Sequence, residues 1–299
     1  MEKVIVIVGP TAVGKTKLSI ELAKKFDGEI INADSTQIFK GLDVATAKVT
    51  KDEKENIVHH LIDIKNIIDD YTVYEYQKDA RNCIDNILKR GKTPILVGGT
   101  GLYIKACLYD YKFDEENKNT NEYLELSNDE LYEMLLKIDP KTEIHKNNRK
   151  RVVRAINYYN ENKRPLSSKE KTDKELYDTI YIGLTTDRQT LYDRINKRVD
   201  IMIKNGLLEE AKKVYESNIR TKAVLTPIGY KDLFPYFSHE KSLEECIELI
   251  KKNSRRYAKR QYTWFNNQMK VKWFNTDFNN FDNTVIEVED YIKNVKHWS

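Results

Sequence analysis

Gly9-Pro10-Thr11-Ala12-Val13-Gly14-Lys15-Thr16 constrains this chain more than any other stretch. It follows the β-branched run Val4-Ile5-Val6-Ile7-Val8 and precedes an apolar-periodic segment beginning Lys17-Leu18-Ser19-Ile20-Glu21-Leu22. The octapeptide fits G-x-x-x-x-G-K-[ST], and a strand before it with a helix after it separates a phosphate cradle from a chance match. Five consecutive aliphatics are too few for a helix, and glycine and proline stop them at once, so the run reads as a buried strand. In such a loop successive backbone N–H groups converge on an anion, the helix N-terminus adds positive potential, and Lys15 adds a full charge. The Thr16 hydroxyl is placed to ligate Mg2+. The expected occupant is a diphosphate or triphosphate; the bland alternative is a glycine turn joining strand to helix.

The 299 residues suit one large domain or two linked ones. No segment holds ~18 consecutive apolar residues, and Met1-Glu2-Lys3 runs straight into the first strand without a signal peptide. A soluble, cytoplasmic, monomeric protein with no membrane partner is expected. Cys83, Cys107 and Cys246 are far apart and form no C-x-x-C pair, so they read as reduced and structural. With Lys+Arg 51 against Asp+Glu 47, the net charge is too small to argue for nucleic acid by itself. Its distribution says more. Residues 141–164 hold eight Lys/Arg against Glu143 and Glu161, and residues 250–272 hold eight with no acid. Two such stretches point to a polyanion larger than one diphosphate, against the plainer reading of solvated helix faces.

Along the chain, a helix should run from the loop to about Lys25, closed by Phe26-Asp27-Gly28 with the glycine as its C-terminal stop. Residues 29–32 read as a second strand. At its end the cluster Ala33-Asp34-Ser35-Thr36-Gln37 stands where an open α/β sheet places ligands, so Asp34 and Lys15 are expected to face one crevice. An N-cap of a following short helix is the alternative for Asp34. His59 and His60, adjacent on a third strand, point to opposite faces and are read as structural rather than as a shared metal site. Residues 73–90 have helical spacing. The buried strand 94–97 ends in Gly98-Gly99-Thr100-Gly101 rather than in an Mg2+-binding aspartate. The glycines should admit close backbone approach to a ligand, Thr100 can donate to a phosphate oxygen, and Asp63 stands as an acidic alternative. A polar connection at 111–121 opens a helical insertion, with helices at 129–138 and 148–159, before a fifth strand at 180–184. The remainder reads as mostly helical, the last helix running from Leu243 to about Trp264.

A cradle of this kind serves a kinase, an NTPase or any transferase that ejects diphosphate. A carboxylate facing it could take a proton from an amine or hydroxyl nucleophile. Taken in order, the cradle, Asp34-Ser35-Thr36-Gln37, Thr46-Ala47-Lys48, residues 59–63 and 98–103, Arg151-Val152-Val153-Arg154, residues 194–200 and 228–231, and Arg255 to Gln261 resemble the bacterial tRNA dimethylallyltransferase family, a tRNA isopentenyltransferase family with a P-loop kinase-like fold. The resemblance implies transfer of a dimethylallyl group from dimethylallyl diphosphate to N6 of the adenosine 3′-adjacent to the anticodon, position 37, in tRNAs reading codons that begin with U. It implies Asp34 as general base, Gly9 to Thr16 as the diphosphate site with Mg2+ near Thr16, and Thr100 reaching the same phosphates and the tRNA. It also implies that Ser35, Thr36 and Gln37 touch the target base and its neighbours, and that Lys150, Arg151, Val152, Val153 and Arg154 grip the anticodon loop. The expected architecture is a P-loop α/β core formed by 1–111 and 176–299, with a parallel sheet and C-terminal helices, and a mainly helical insertion at 112–175. The rivals are an ATP-using small-molecule kinase, an isopentenyltransferase for free adenine nucleotides, and a noncatalytic nucleic-acid binder. Tyr257, Tyr262, Trp264 and Phe265 read as core more readily than as stacking platforms.

Overall fold

The computed structural model describes residues 2–113, 123–168 and 174–295. Strand β1 (Lys3–Val8) leads into α1 (Lys15–Lys25), β2 (Gly28–Asn32), β3 (His59–His60), α2 (Val73–Lys89), β4 (Thr93–Val97) and α3 (Gly101–Leu108). After α4 (Asn128–Ile138) and α5 (Arg149–Asn162) the chain returns through β5 (Asp178–Thr185) to α6 (Arg188–Lys204) and α7 (Leu207–Glu216). Helices α8 (Lys222–Leu225), α9 (Tyr230–Phe237) and α10 (Leu243–Gln268), then β6 (Lys272–Asn275) and α11 (Phe281–Asn294), complete it. The six strands pair in the order β3-β2-β4-β1-β5-β6, and every pairing is parallel. This is the α/β class expected.

A parallel sheet covered on both faces needs strands that are apolar throughout. β1 meets that demand: Val4 to Val8 are all fully buried. Its side chains alternate, as strand geometry requires. Val4, Val6 and Val8 join Ile31, Leu96, Ile84 and Ile104 on one face, while Ile5 and Ile7 join Leu18, Leu22, Ile195 and Val288 on the other. Because β1 lies between β4 and β5, the loop that follows it opens at the middle of the carboxyl edge of the sheet, where α/β folds hold ligands.

Two expectations need correction. Gly28 is the first residue of β2 and not a helix stop; Asp27 takes the left-handed conformation (φ 43), and a Cβ on Gly28 would press on Ile95. The C-terminal part is mostly helical as expected, but the helix ending near Trp264 is not its last element: β6 extends the sheet beside β5, and α11 packs Val285, Val288 and Ile292 into the core. A four-residue strand at the sheet edge leaves too short an alternation to read.

The chain divides into two compact units, Met1–Asp110 with Lys174–Ser299, and Tyr111–Asp173. The second unit has its own small core, in which Leu131 and Leu135 of α4 meet Val152, Ala155 and Ile156 of α5. Ser127 starts α4 through a reciprocal cap with Glu130. Arg149 donates to the carbonyls of Tyr123 and Leu126 and fixes the entry to α5. Most of the connection expected at 111–121 lies outside the described residues.

Candidate active site

The loop between β1 and α1 takes positive φ at Gly9 (139°), Ala12 (67°) and Gly14 (98°). At Gly9 a Cβ would stand 2.6 Å from the Leu184 carbonyl, and at Gly14 one would stand 2.7 Å from the Phe281 ring, so both positions exclude side chains on two counts. The other side chains of the loop anchor it. Val13 is buried, its carbonyl accepts from the Thr276 hydroxyl at 3.0 Å, and the Ala12 carbonyl accepts from Arg194 Nε at 3.0 Å. Arg194 in turn lies 3.6 Å over the Phe278 ring. Lys15 Nζ donates to the Pro10 carbonyl at 2.7 Å, folding the ammonium back over the loop. Burial pushes the Lys15 pKa down to about 7, helped by the neighbouring Arg198 cation and opposed by Asp34. Arg198, half-buried on α6, is lowered by burial and supported by Asp34 and Glu53. Among the described residues its guanidinium has no hydrogen-bond partner. Two cations crowd at one loop, and Asp34 is the carboxylate that both of them feel.

That carboxylate is Asp34, at the end of β2. No helix follows it directly, so it is not an N-cap; its Oδ1 accepts from Thr36 N at 2.9 Å and Thr36 Oγ1 at 2.7 Å, closing a tight Asx turn. Among the described residues no hydrogen bond occupies Oδ2, which remains a free acceptor. The turn is held from beneath by buried Asn32. Its Oδ1 accepts from Asp34 N at 3.0 Å, and its Nδ2 donates to the Asp34 and Leu61 carbonyls at 3.1 and 3.0 Å. Tyr76 OH donates to the Asn32 carbonyl. Thr100, after β4, is tied to the same turn: its Oγ1 accepts from Ser35 N at 3.1 Å and donates to Ser35 Oγ at 3.3 Å. Cradle, Asp34, Ser35, Thr36 and Thr100 thus meet at the carboxyl edge of neighbouring strands.

The glycines after β4 do not open a path for a ligand. A Cβ at Gly98 would collide with the Ala33 backbone, at Gly99 with Gln261, and at Gly101 with Trp264. Gly99 and Gly101 let α10 pack closely against this turn. Gln261 then joins the two loops, accepting from Thr11 N at 3.1 Å and donating to the Gly99 carbonyl at 3.1 Å. One amide of the cradle is therefore committed to the protein. Asp63 is not the missing acid: its carboxylate pairs with Lys48 at 2.6 Å, beyond the edge strand β3, three strands from β1 and about 14 Å away at sheet spacing. His59 and His60 keep separate partners, the Ile57 carbonyl and Glu29. Among the described residues no group of three His, Cys, Asp or Glu could hold a metal ion, and no helix is long and apolar enough to cross a membrane.

In the second unit, α5 exposes Lys150, Arg151 and Arg154, while Val152 and Val153 are buried in its core. The two valines pack the helix against α4. On α10, Lys252, Arg256, Lys259 and Arg260 are exposed, whereas Lys251 and Arg255 are tied to Asp200 and Asn196. Phe265 is buried, Trp264 fills the space over Gly101, and Tyr262 stacks on Trp273. Of the four aromatics, Tyr257 stands near Thr100 and Gln261, and burial first, then the charge of Asp34, raises the pKa of its phenol. Arg198 and Gln261 lie inside motifs that carry the resemblance, but the sequence assigned none of Arg198, Gln261 and Asn32 a role. Their importance rests on which loops they join.

Residues 37–268 match the family model for IPP transferase. The chain is 50% identical to the tRNA dimethylallyltransferase of Anoxybacillus flavithermus, over 99% of this chain and 98% of that one. It is 49% identical to the enzyme of the same name from Geobacillus thermodenitrificans, over 97% and 96%. Among solved structures, the tRNA isopentenylpyrophosphate transferase of Staphylococcus epidermidis aligns with a TM-score of 0.75 at 45% identity, covering 98% of this chain and 99% of that one. A eukaryotic dimethylallyltransferase described as acting on tRNA aligns at 0.85 and 33% identity, covering 98% and 79%. With a family model spanning most of its length and near-complete relatives at half identity, this chain belongs to the tRNA dimethylallyltransferase (IPP transferase) family.

Proposed function

We propose that this chain transfers the dimethylallyl group of dimethylallyl diphosphate to N6 of the adenosine immediately 3′ of the anticodon, position 37, in tRNAs reading codons that begin with U. The observation that carries the reading is Asp34, whose charge supports both Lys15 and Arg198 and whose Oδ2 has no hydrogen bond among the described residues. An exocyclic adenine amine is a weak nucleophile, so it needs a placed base and a stabilised leaving group. As the N6–C1 bond forms, the C1–O bond to diphosphate breaks, the N6 proton passes to Asp34, and the leaving negative charge is met by the loop amides, Lys15 and Arg198. Extruding a loop adenine costs a few kcal/mol at most. Exposed cations of α5 and α10 would hold the RNA backbone.

The chain fits Mg2+ in a particular way. The Thr16 hydroxyl is exposed at the start of α1 with no hydrogen bond among the described residues, and no carboxylate cluster surrounds it. That suits an ion held by one hydroxyl, water and the ligand's own phosphate oxygens. When bound, it would neutralise diphosphate charge. Family membership disfavours the kinase, the free-nucleotide enzyme and the noncatalytic binder. The test is mass spectrometry of nucleosides from unmodified tRNA incubated with the protein, Mg2+ and dimethylallyl diphosphate, beside a reaction with ATP and AMP. Prenylated adenosine in tRNA alone is expected; ATP consumption without prenylation would overturn the reading.

A further inference from the structure

Glu210, in the first turn of α7, sends its carboxylate across to the loop after β2. Oε2 accepts from the backbone N–H of Asp43 at 2.9 Å and Val44 at 3.0 Å, and Oε1 from Val44 at 3.0 Å and Ala45 at 3.1 Å. Tyr230 OH adds a fourth donor to Oε1 at 2.7 Å. Three successive backbone amides converging on one anion form a nest, here filled by the protein's own side chain. The carbonyls just beyond it, of Thr46 and Ala47, accept from Gln37 Nε2 at 3.1 and 3.4 Å. Both carbonyls fix which end of the carboxamide is nitrogen, since only the NH2 end can donate. The opposite end, Oε1, is left as an acceptor without a partner among the described residues. Gln37 stands three residues from Asp34, and its backbone N–H donates to the Asp34 carbonyl at 3.3 Å.

We propose that Glu210 is a positioning residue for RNA recognition: by filling the 43–45 nest it sets the Thr46 and Ala47 carbonyls that lock Gln37 with Oε1 outward, an acceptor for a base N–H. The inference rests on the proposed function, which places a nucleobase beside residues 34–37. A hydrogen-bonding acceptor held in one orientation discriminates strongly, because a base lacking the donor leaves it unpaired. Glu210→Gln removes the nest's complementarity while keeping size: one oxygen becomes an NH2 facing two N–H donors.

The experiment is a double-mutant cycle of Glu210→Gln and Gln37→Met, measured as kcat/KM for an anticodon stem-loop and KM for dimethylallyl diphosphate. Amide hydrogen exchange at 43–45 is followed in wild type and Glu210→Ala. Glu210→Gln should lower kcat/KM for RNA about tenfold, in line with the loss of a charge-assisted hydrogen bond, and leave KM for dimethylallyl diphosphate unmoved. The loss should disappear in the Gln37→Met background. An undiminished loss in that background, or equal damage to both substrates, would make Glu210 a general structural residue and overturn the proposal. Exchange at 43–45 that is as fast in wild type as in Glu210→Ala would overturn the nest itself. Wild type with slow exchange and no prenyl transfer would instead refute the underlying function.

Discussion

Lys15 offers the sharpest test of the site's electrostatics, because its proton should arrive with the ligand. In the free protein its pKa is lowered from 10.5 to about 7 by burial and by Arg198. Half of the protein then carries a charged Lys15 near pH 7, and only about 3% near pH 8.5. A bound diphosphate favours the ammonium, so binding takes up about half a proton at pH 7 and nearly one at pH 8.5. Between those values the affinity should weaken by about 16-fold, about 1.6 kcal/mol, beyond the ligand's own titration. Calorimetry of dimethylallyl diphosphate binding, without RNA and at fixed Mg2+, in buffers of differing ionisation enthalpy reads the protons directly. Lys15→Arg stays charged throughout, so subtracting it isolates Lys15. The same shift has a stability sign: the unfolded chain binds more protons between pH 7 and 10.5, so the free protein gains stability through this residue as pH rises across that window. Equal proton uptake by wild type and Lys15→Arg, with affinity flat to pH 8.5, would refute the reasoning.

Asp34→Asn keeps an oxygen for the Thr36 turn but removes the base; prenyl transfer should fall by about 10²–10⁴-fold while stem-loop binding is retained, and unchanged turnover would remove Asp34 from the chemistry. Gln261→Ala leaves Thr11 N and the buried Gly99 carbonyl unpartnered; a loss of about 2–4 kcal/mol is expected in urea melts, and a change below about 0.5 kcal/mol would show that the bridge is dispensable. Replacing Lys259 and Arg260 with alanine should make the salt dependence of RNA binding shallower by about one unit of slope for each phosphate no longer neutralised, with dimethylallyl diphosphate binding unchanged; an unaltered slope would show that this face of α10 does not touch the RNA.

The cradle was legible because its chemistry is local: a strand, a glycine-framed loop and a helix N-terminus are all written within about twenty residues, and strict burial of Val4 to Val8 follows from their composition. Asp34 was legible by position, at the carboxyl end of the next strand. How Asp34 is held was not, because an Asx turn and an N-cap begin with the same residues and only the absence of a following helix separates them. The glycines of 98–101 looked like room for phosphate, yet Gly98 makes room for the Ala33 backbone, and Gly99 and Gly101 for Gln261 and Trp264, residues more than 160 positions away. Val152 and Val153 fell inside a basic motif, and a helix turned them into a core. Residues that act where they stand in the chain could be read from the sequence. Arg198, Gln261 and Glu210 act on loops far from them in sequence, and only the order β3-β2-β4-β1-β5-β6, with α6, α7 and α10 laid against it, decided which loops those would be.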